Sequence, residues 1–286
     1  MYFLTHKFQI IKEADIIIIK NCISNTALFS FKDTDIDLSI FKKIMYYGKS
    51  SDTNDSIESL KMNELINTFP FAFIFTNESR IKSLIIFIRK YNDLILPAII
   101  SEYNVERYIQ KIEDIIKENK TFDVYLSLDR SLACLQKSLT ELPFLNIINE
   151  KDEPIGGSKY DLTISEVDTY EKNKSLSKKS EFVLFVDTSQ KNIEIGPLVF
   201  TSKFQIPEME VNEPNNNIKM LQQEELLVFF FFERILYILF FELYDKISGI
   251  EFFPTRSSIC IDRLNLRGHG KLITMHPLQD FFEKQN

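Results

Sequence analysis

The side chains that most often carry enzyme chemistry are few in this sequence and lie far apart. The three histidines are His6, His269 and His276. The three cysteines are Cys22, Cys134 and Cys260. Zinc sites gather such ligands at short spacings, and nucleophilic catalysis sets a Ser or Cys beside a base. No Cys-x-x-Cys pair and no Gly-x-Ser-x-Gly element occurs, so the sequence predicts no metal site and no catalytic residue.

Glycine, which phosphate-binding loops require, is scarce. The chain has seven glycines among 286 residues, well below the average usage of about 7%. None lies between Asn77 and Glu150, where a nucleotide site on an α/β sheet would place the glycine-rich turn after its first strand. No Gly-x-x-x-x-Gly-Lys-Ser/Thr element occurs either. We therefore expect no nucleotide cofactor and, with no catalytic residue, we expect that the chain is not an enzyme.

Charge and cysteine content restrict the partners and the compartment. The formal net charge of −7 argues against a nucleic-acid partner, because phosphates require a basic face. An odd, sparse set of cysteines is typical of a reducing compartment. Residues Met1–Lys7 lack the charged start and apolar core of a signal peptide. The sequence therefore predicts a cytoplasmic protein that does not bind nucleic acid.

One long apolar segment, Leu226–Tyr244, approaches the length of a membrane span. Glu233, Arg234 and Glu242 interrupt it, and charged side chains in mid-span are costly in lipid. We therefore expect a helix that is buried in a core or in a homodimer interface, and no membrane partner.

The first part of the chain reads as a small unit of strands followed by helices. Strands are predicted at Phe8–Ile11, Ile16–Lys20, Ala27–Phe31 and Phe71–Phe75. Helices are predicted at Asp37–Tyr47, Ser51–Leu60 and Lys61–Phe69. Three strands, three helices and a final strand give a winged-helix-like layout, so we predict an N-terminal domain over residues 1–78.

In residues 79–286, strands alternate with helices, as in a parallel α/β sheet. The segment Ile81–Tyr91 fits a helix or a buried strand, and Val105–Asn119 is clearly an amphipathic helix. Shorter predicted elements are strands at Phe122–Leu128, Phe144–Ile148, Tyr160–Ile164, Phe182–Val186, Glu194–Phe200, Ser258–Ile261 and Leu272–Thr274, and helices near Ser131–Leu139 and at Leu221–Ser248. The predicted fold class is α/β.

The N-terminal unit offers a way to bind a peptide. A three-stranded sheet leaves an edge strand unpaired, and an exposed edge accepts an added strand. We predict that the edge is Ala27–Phe31 and that the other wall of the groove is the helix Met62–Phe69. The predicted peptide-binding residues are Ala27, Leu28, Phe29, Ser30, Phe31, Met62, Asn63, Ile66 and Phe69. The alternative is that these aromatic side chains only fill the core of the small unit.

Residues 6–78 resemble, in the order of their elements, a RiPP recognition element, the winged-helix-like domain that binds the leader of a ribosomally made precursor peptide. Ile195–Phe200, IGPLVF, resembles a strand of ThiF/MoeB-like proteins, which are related to ubiquitin-activating enzymes. Ile259–Leu264 and Lys271–Pro277 resemble the C-terminal part of the ThiF-like partners of azole-forming cyclodehydratases, and Asp161–Asp168 corresponds to a further strand of these relatives.

This resemblance implies a leader-binding domain over residues 1–78 and a degenerate ThiF-like α/β domain over residues 79–286. The relatives carry zinc cysteines after their His-Pro pair, whereas this chain has Leu278–Phe281 there. The implied role is that of a homodimeric partner that binds the precursor's leader and presents the core peptide to a YcaO-type cyclodehydratase, as in thiopeptide and linear azole-containing peptide biosynthesis. Two alternatives stay open: an ATP-dependent adenylating enzyme and a winged-helix DNA-binding regulator.

Overall fold

The computed structural model describes residues 1–32, 35–48, 56–95, 102–127, 133–149, 159–166, 179–188, 192–202, 204, 221–241, 257–263 and 266–272. The chain divides into two compact units, with Met1–Lys120 in the first and Thr121 beginning the second. The domain boundary after residue 78 stays a prediction, and the compact first unit extends beyond it.

The first unit contains two small sheets. Its strands are β1 (Tyr2–Leu4), β2 (Phe8–Glu13), β3 (Ile16–Asn21), β4 (Ala27–Lys32) and β5 (Phe73–Phe75). β2, β3 and β4 form an antiparallel sheet in that order, which contains the three strands that the sequence predicts. β1, which the sequence analysis did not predict, pairs with β5. The predicted strand Phe71–Phe75 begins only at Phe73, because a 3-10 turn occupies Pro70–Ala72.

Four helices of the first unit are described: α1 (Leu38–Tyr47), α2 (Ile57–Thr68), α3 (Ser79–Ile95) and α4 (Glu102–Glu118). α1 begins where predicted, because the Asp37 carboxylate accepts the backbone N–H groups of Ser39 and Ile40. The predicted separate helices Ser51–Leu60 and Lys61–Phe69 are wrong from residue 57 onward, where one continuous helix runs. Residues 51–55 lie outside the described part of the chain.

The core of the first unit lies between the β2–β3–β4 sheet and helices α1 and α2. Every second residue of β3 faces this core, and Ile17 and Ile19 are fully buried there. The remaining members of the buried cluster are Leu4, Phe8, Ile10, Phe41, Ile44, Met45, Tyr46, Met62, Leu65 and Ala72. Burial of an aliphatic or aromatic side chain contributes about 1.5–3 kcal/mol to stability.

Arg89, on α3, ties the segment between β1 and β2 to the rest of the first unit. Its guanidinium donates to the carbonyl oxygens of Leu4 and Thr5, both at 3.0 Å. It also lies 4.4 Å from the ring centroid of Tyr46. His6 is buried in the same segment. Burial, and secondarily the charge of Arg89, holds the pKa of His6 well below its ordinary value of 6.5.

The second unit contains a seven-stranded sheet. Its strands are β6 (Phe122–Ser127), β7 (Leu145–Asn149), β8 (Tyr160–Glu166), β9 (Ser180–Asp187), β10 (Asn192–Phe200), β11 (Ser257–Asp262) and β12 (Gly268–Leu272). The order across the sheet is β12-β11-β10-β9-β8-β6-β7. β7, β6, β8 and β9 pair in parallel, and β10 to β12 continue antiparallel. The predicted α/β fold is confirmed.

Two helices of the second unit are described, α5 (Ala133–Thr140) and α6 (Gln222–Phe240). The C-terminal half of α6 is buried, and Phe240 stacks on Phe144, with 5.0 Å between the ring centroids. Its N-terminal half exposes Leu226 and Phe230. Within the described residues, no helix combines the length and apolar character that crossing a membrane requires. The predicted end of this helix at Ser248 lies outside the described part.

The buried His6 makes stability depend on pH in a predictable direction. In the folded state its pKa lies below 6.5, so the unfolded chain binds the proton more readily as the pH falls. The contribution of neutral His6 to the free energy of unfolding is therefore fully present above pH 6.5. It is lost as the pH falls toward the folded pKa, by about 1.4 kcal/mol for each pH unit. Urea unfolding at several pH values, in wild type and His6→Gln, measures this loss.

We expect the wild-type free energy of unfolding to fall more steeply below pH 6.5 than that of His6→Gln, because only the wild type has this group to protonate. The two curves share all other titrating groups, so their difference isolates His6. Parallel curves in this range would contradict the assignment.

Candidate peptide-binding edge

The direction of the backbone groups in β3 follows from hydrogen bonds at the two ends of the strand. β2 and β3 are joined by a two-residue turn that closes at the pair Glu13 and Ile16, so Ile16 directs its backbone groups to β2. At the other end, the Asn21 N–H donates to the Thr26 carbonyl oxygen at 2.9 Å, on the β4 side. Odd-numbered residues of β3 therefore bond to β4.

The same alternation shows which groups of β4 face outward. Phe29 and Phe31 pair with the odd-numbered residues Ile19 and Ile17, so their backbone N–H and C=O groups point into the sheet. The backbone groups of Ser30 and Lys32 therefore point away from it. Within the described residues, β4 pairs with β3 alone. These outward groups form an open edge that can accept another strand.

At the opposite edge of the sheet, on β2, side chains of the protein itself bond to two of the outward backbone groups. The N–H group of Ile10 points outward and donates to the hydroxyl oxygen of Tyr46 at 2.6 Å. The carbonyl oxygen of Phe8 also points outward and accepts from the guanidinium of Arg89 at 3.4 Å. The two edges of one sheet thus differ, because β2 has outward groups bonded to side chains, whereas no hydrogen bond among the described residues reaches the outward groups of Ser30 and Lys32.

Aromatic side chains of β4 meet the end of α2, where the sequence analysis predicts the groove. Phe29 contacts Phe31 on its own strand and Phe69 at the end of α2, with 5.8 Å between ring centroids in both pairs. Phe31 meets Phe41 edge to face at 5.6 Å. These rings are half-buried against the core, so each contributes to the packing of the unit and leaves part of its surface toward the groove.

A β-bulge changes the predicted alternation along β4. Lys20 pairs with Ala27 and Ile19 pairs with Phe29, so Leu28 is an extra residue between them. Strict alternation along a strand would put Leu28 on the opposite side from Ala27 and Phe29. Instead, Leu28 packs partly against the same core as Phe29, because a bulge interrupts the period of two.

The nine predicted peptide-binding residues are divided by the structure between surface and core. Ala27, Ser30 and Asn63 are exposed, and Ile66 is half-buried beside the aromatic side chains. Met62 is buried in the core and is 2% exposed. Its side chain therefore supports the wall of the groove from below and does not line it. Whether this groove binds a peptide stays a prediction.

A second cluster of polar side chains lies in the second unit, where β8, β9 and β11 end at the same edge of the sheet. The Thr188 hydroxyl donates to a carboxylate oxygen of Glu166 at 3.3 Å. Arg263 donates to the Thr188 carbonyl oxygen at 2.5 Å and to the Glu224 carboxylate at 2.9 Å. Ligands of open α/β sheets bind at this carboxyl edge.

Sequence reasoning missed this cluster. Glu224 caps the start of α6, since the Leu221 N–H donates to its carboxylate at 2.9 Å. The same carboxylate is buried beside Arg263. The acidic residue in the first turn of a predicted helix was the available signal. Within the described ranges, no group of three or more His, Cys, Asp or Glu residues is placed to hold a metal ion.

No protein-family model matches this chain, and no curated protein matches it in sequence. Among solved structures it is similar to a heterocyclase in complex with substrate and cofactor, at 10% identity and TM-score 0.46, over 96% of this chain and 38% of that one. It is similar to the microcin C7 biosynthetic enzyme MccB in complex with N-formylated MccA, at 10% identity and TM-score 0.44, over 97% and 98%. The heterocyclase TruD matches at 11% identity and TM-score 0.41, over 97% and 41%.

The expectation that this chain is not an enzyme is wrong by this comparison, because the matched structures are heterocyclases and a biosynthetic enzyme. That expectation rested on a missing glycine loop and missing zinc cysteines. A missing motif excludes only a site built from that motif. Helix N-termini and successive backbone N–H groups of other residues also bind phosphate.

The neighbours Met62 and Asn63 provide a direct test of the boundary between groove and core. Met62→Ala removes a fully buried side chain, and we expect it to lower the free energy of unfolding by about 2–5 kcal/mol. Asn63→Ala changes an exposed side chain and is expected to alter stability by about 0.5 kcal/mol or less. Urea unfolding measures both, and equal effects would contradict this placement of the two side chains.

Proposed function

We propose that this chain takes part in the maturation of a ribosomally made precursor peptide and that its first unit binds the leader of that peptide. The leader joins the β2–β3–β4 sheet as a fourth strand beside β4, with α2 as the second wall. The observation that supports this proposal is the difference between the two edges of the sheet. Tyr46 and Arg89 close β2, whereas Ser30 and Lys32 direct their backbone groups outward.

Strand addition accounts for both affinity and selectivity in such a complex. Each backbone hydrogen bond contributes about 0.5–1.5 kcal/mol after exchange with water, and these bonds fix the register of the guest strand. Side chains of the guest alternate in direction, so every second one faces the half-buried rings of Phe29 and Phe31. Apolar guest side chains at those positions would extend an aromatic cluster that the unit already has.

Binding at a leader, away from the residues to be modified, has a consequence for the chemistry. A tethered core peptide reaches a nearby active site at an effective concentration on the order of millimolar. One recognition event therefore serves several modifications along a variable core. We propose azole formation together with a YcaO-type cyclodehydratase as the reaction sequence, with the chain acting as a homodimer in the cytoplasm.

The proposal is tested by removing one outward N–H group. Ser30→Pro deletes that donor and places a ring at the edge, while the bonds between β4 and β3 belong to neighbouring residues. We expect about a tenfold or greater loss of affinity for the leader. A search for a short precursor gene beside this chain's gene is the route to the leader sequence, and fluorescence polarisation with the labelled leader measures the affinity.

Ser30→Ala is the matched control, because it changes the same exposed side chain and keeps the N–H group. We expect its affinity to equal that of the wild type, and circular dichroism to show both variants folded. N-methylation of successive peptide amides gives a second measure that leaves the protein unchanged. Affinity should fall at alternate positions of the peptide, whereas a uniform response to N-methylation, or equal binding by Ser30→Pro, refutes strand addition at β4.

A further inference from the structure

Lys61, on α2, reaches over the aromatic floor of the groove. Its ammonium nitrogen lies 5.0 Å from the ring centroid of Phe29 and 5.1 Å from that of Phe31. The side chain is 20% exposed, so most of its surface is already covered by the rest of the unit. A strand added beside β4 would place alternate side chains next to these two rings, and hence next to this cation.

The present ion partner of Lys61 holds it weakly. Glu64, three residues further along the same helix, accepts from Lys61 at 2.7 Å and is 56% exposed. Pairs of this kind on a helix surface contribute about 0.2–0.5 kcal/mol. A guest carboxylate can therefore replace Glu64 at small cost, and the released Glu64 side chain remains in water.

A guest strand would also remove water from Lys61, which changes the balance between possible guests. A buried ammonium is costly unless an acceptor pairs with it, and a guest carboxylate supplies that acceptor. A Lys or Arg side chain at the same position would add like-charge repulsion in a partly apolar environment. A guest position beside Lys61 would therefore favour an acidic side chain over a basic one.

Both charged side chains of β3 and β4 are cations, Lys20 and Lys32. The acidic residues Glu13 and Asp15 lie at the turn that joins β2 to β3. The two lysines lie toward opposite ends of β4, since Lys20 pairs with Ala27 and Lys32 ends the strand. An acidic guest strand thus meets a cation near each end of the edge and a third at the groove, although the whole chain has a net charge of −7.

We propose that the groove recognises an acidic peptide segment, with a carboxylate side chain at the position facing Lys61 and apolar side chains beside Phe29 and Phe31. This inference rests on the proposed function, because it assumes that the guest occupies the β4 edge. It goes beyond that function by naming the chemical class of the segment and the residue that determines its charge.

Selection from a displayed library of randomised peptides about ten residues long, the length of a long strand, tests the proposal without a known leader. The bait is the full chain, and peptides that also bind Ser30→Pro are discarded. We expect Asp and Glu to be enriched among peptides selected by the wild type. Lys61→Met, which keeps a long apolar side chain over the rings, should abolish the enrichment. Lys61→Glu should reverse it toward Lys and Arg.

Lys117→Glu is the matched control, since it makes the same change of charge at an exposed position on α4, and it should select acidic peptides as the wild type does. One selected peptide and its Asp→Asn or Glu→Gln version then give affinities. We expect about a fivefold to tenfold loss on neutralisation for the wild type and about equal affinities for Lys61→Met.

The outcomes separate the two proposals. Peptides that lose binding to Ser30→Pro but show the same preference for charge with wild type and Lys61→Glu overturn the role of Lys61 and leave the edge in place. A selection in which no peptide responds to Ser30→Pro overturns strand addition itself, and with it the inference.

Discussion

The alternation of backbone groups in an antiparallel sheet is the constraint on which the first unit depends. Each outer strand of β2–β3–β4 must direct every second N–H and C=O away from the sheet, and these groups need partners. On β2, Tyr46 and Arg89 supply them. Arg89 also binds the carbonyl oxygens of Leu4 and Thr5. This one side chain therefore bonds to the β2 edge and also anchors the N-terminal strand. On β4, the same alternation leaves Ser30 and Lys32 facing outward.

The side chains around this edge have two tasks at once. Phe29 and Phe31 are half-buried, so they hold β4 against the core and still present ring surface to the groove. The same side chains therefore belong to the core and to the predicted groove. Met62, the residue after Lys61 on α2, belongs wholly to the core. Lys61 lies over the same rings and adds a positive charge beside them. In the complex that we propose, shape and backbone direction determine where the guest lies, whereas Lys61 determines which charge it carries.

Sequence patterns predicted the strands β2, β3 and β4 because alternating β-branched and aromatic residues identify half-buried strands directly. They also predicted the α/β class of the second unit. They also pointed to Ala27–Phe31 as the edge that accepts a strand, which stays a prediction. They did not reveal the side chains that bond to the other edge, because Tyr46 reaches β2 from 36 residues away and Arg89 from 81 residues away. The bulge at Leu28 and the pair of Glu224 with Arg263 also depend on distant contacts. The expectation of no enzyme failed for another reason, since it inferred an absent activity from absent motifs.

Residue-resolved amide hydrogen exchange of the free chain tests the open edge most directly, because it reports whether each N–H already has a partner. The amides of Phe29, Phe31 and Ile10 donate within the unit and should exchange slowly. The amides of Ser30 and Lys32 should exchange much faster, although they lie in the same strand as Phe29 and Phe31. Equal protection of all four β4 amides would contradict the account, since it would mean that this edge is already occupied.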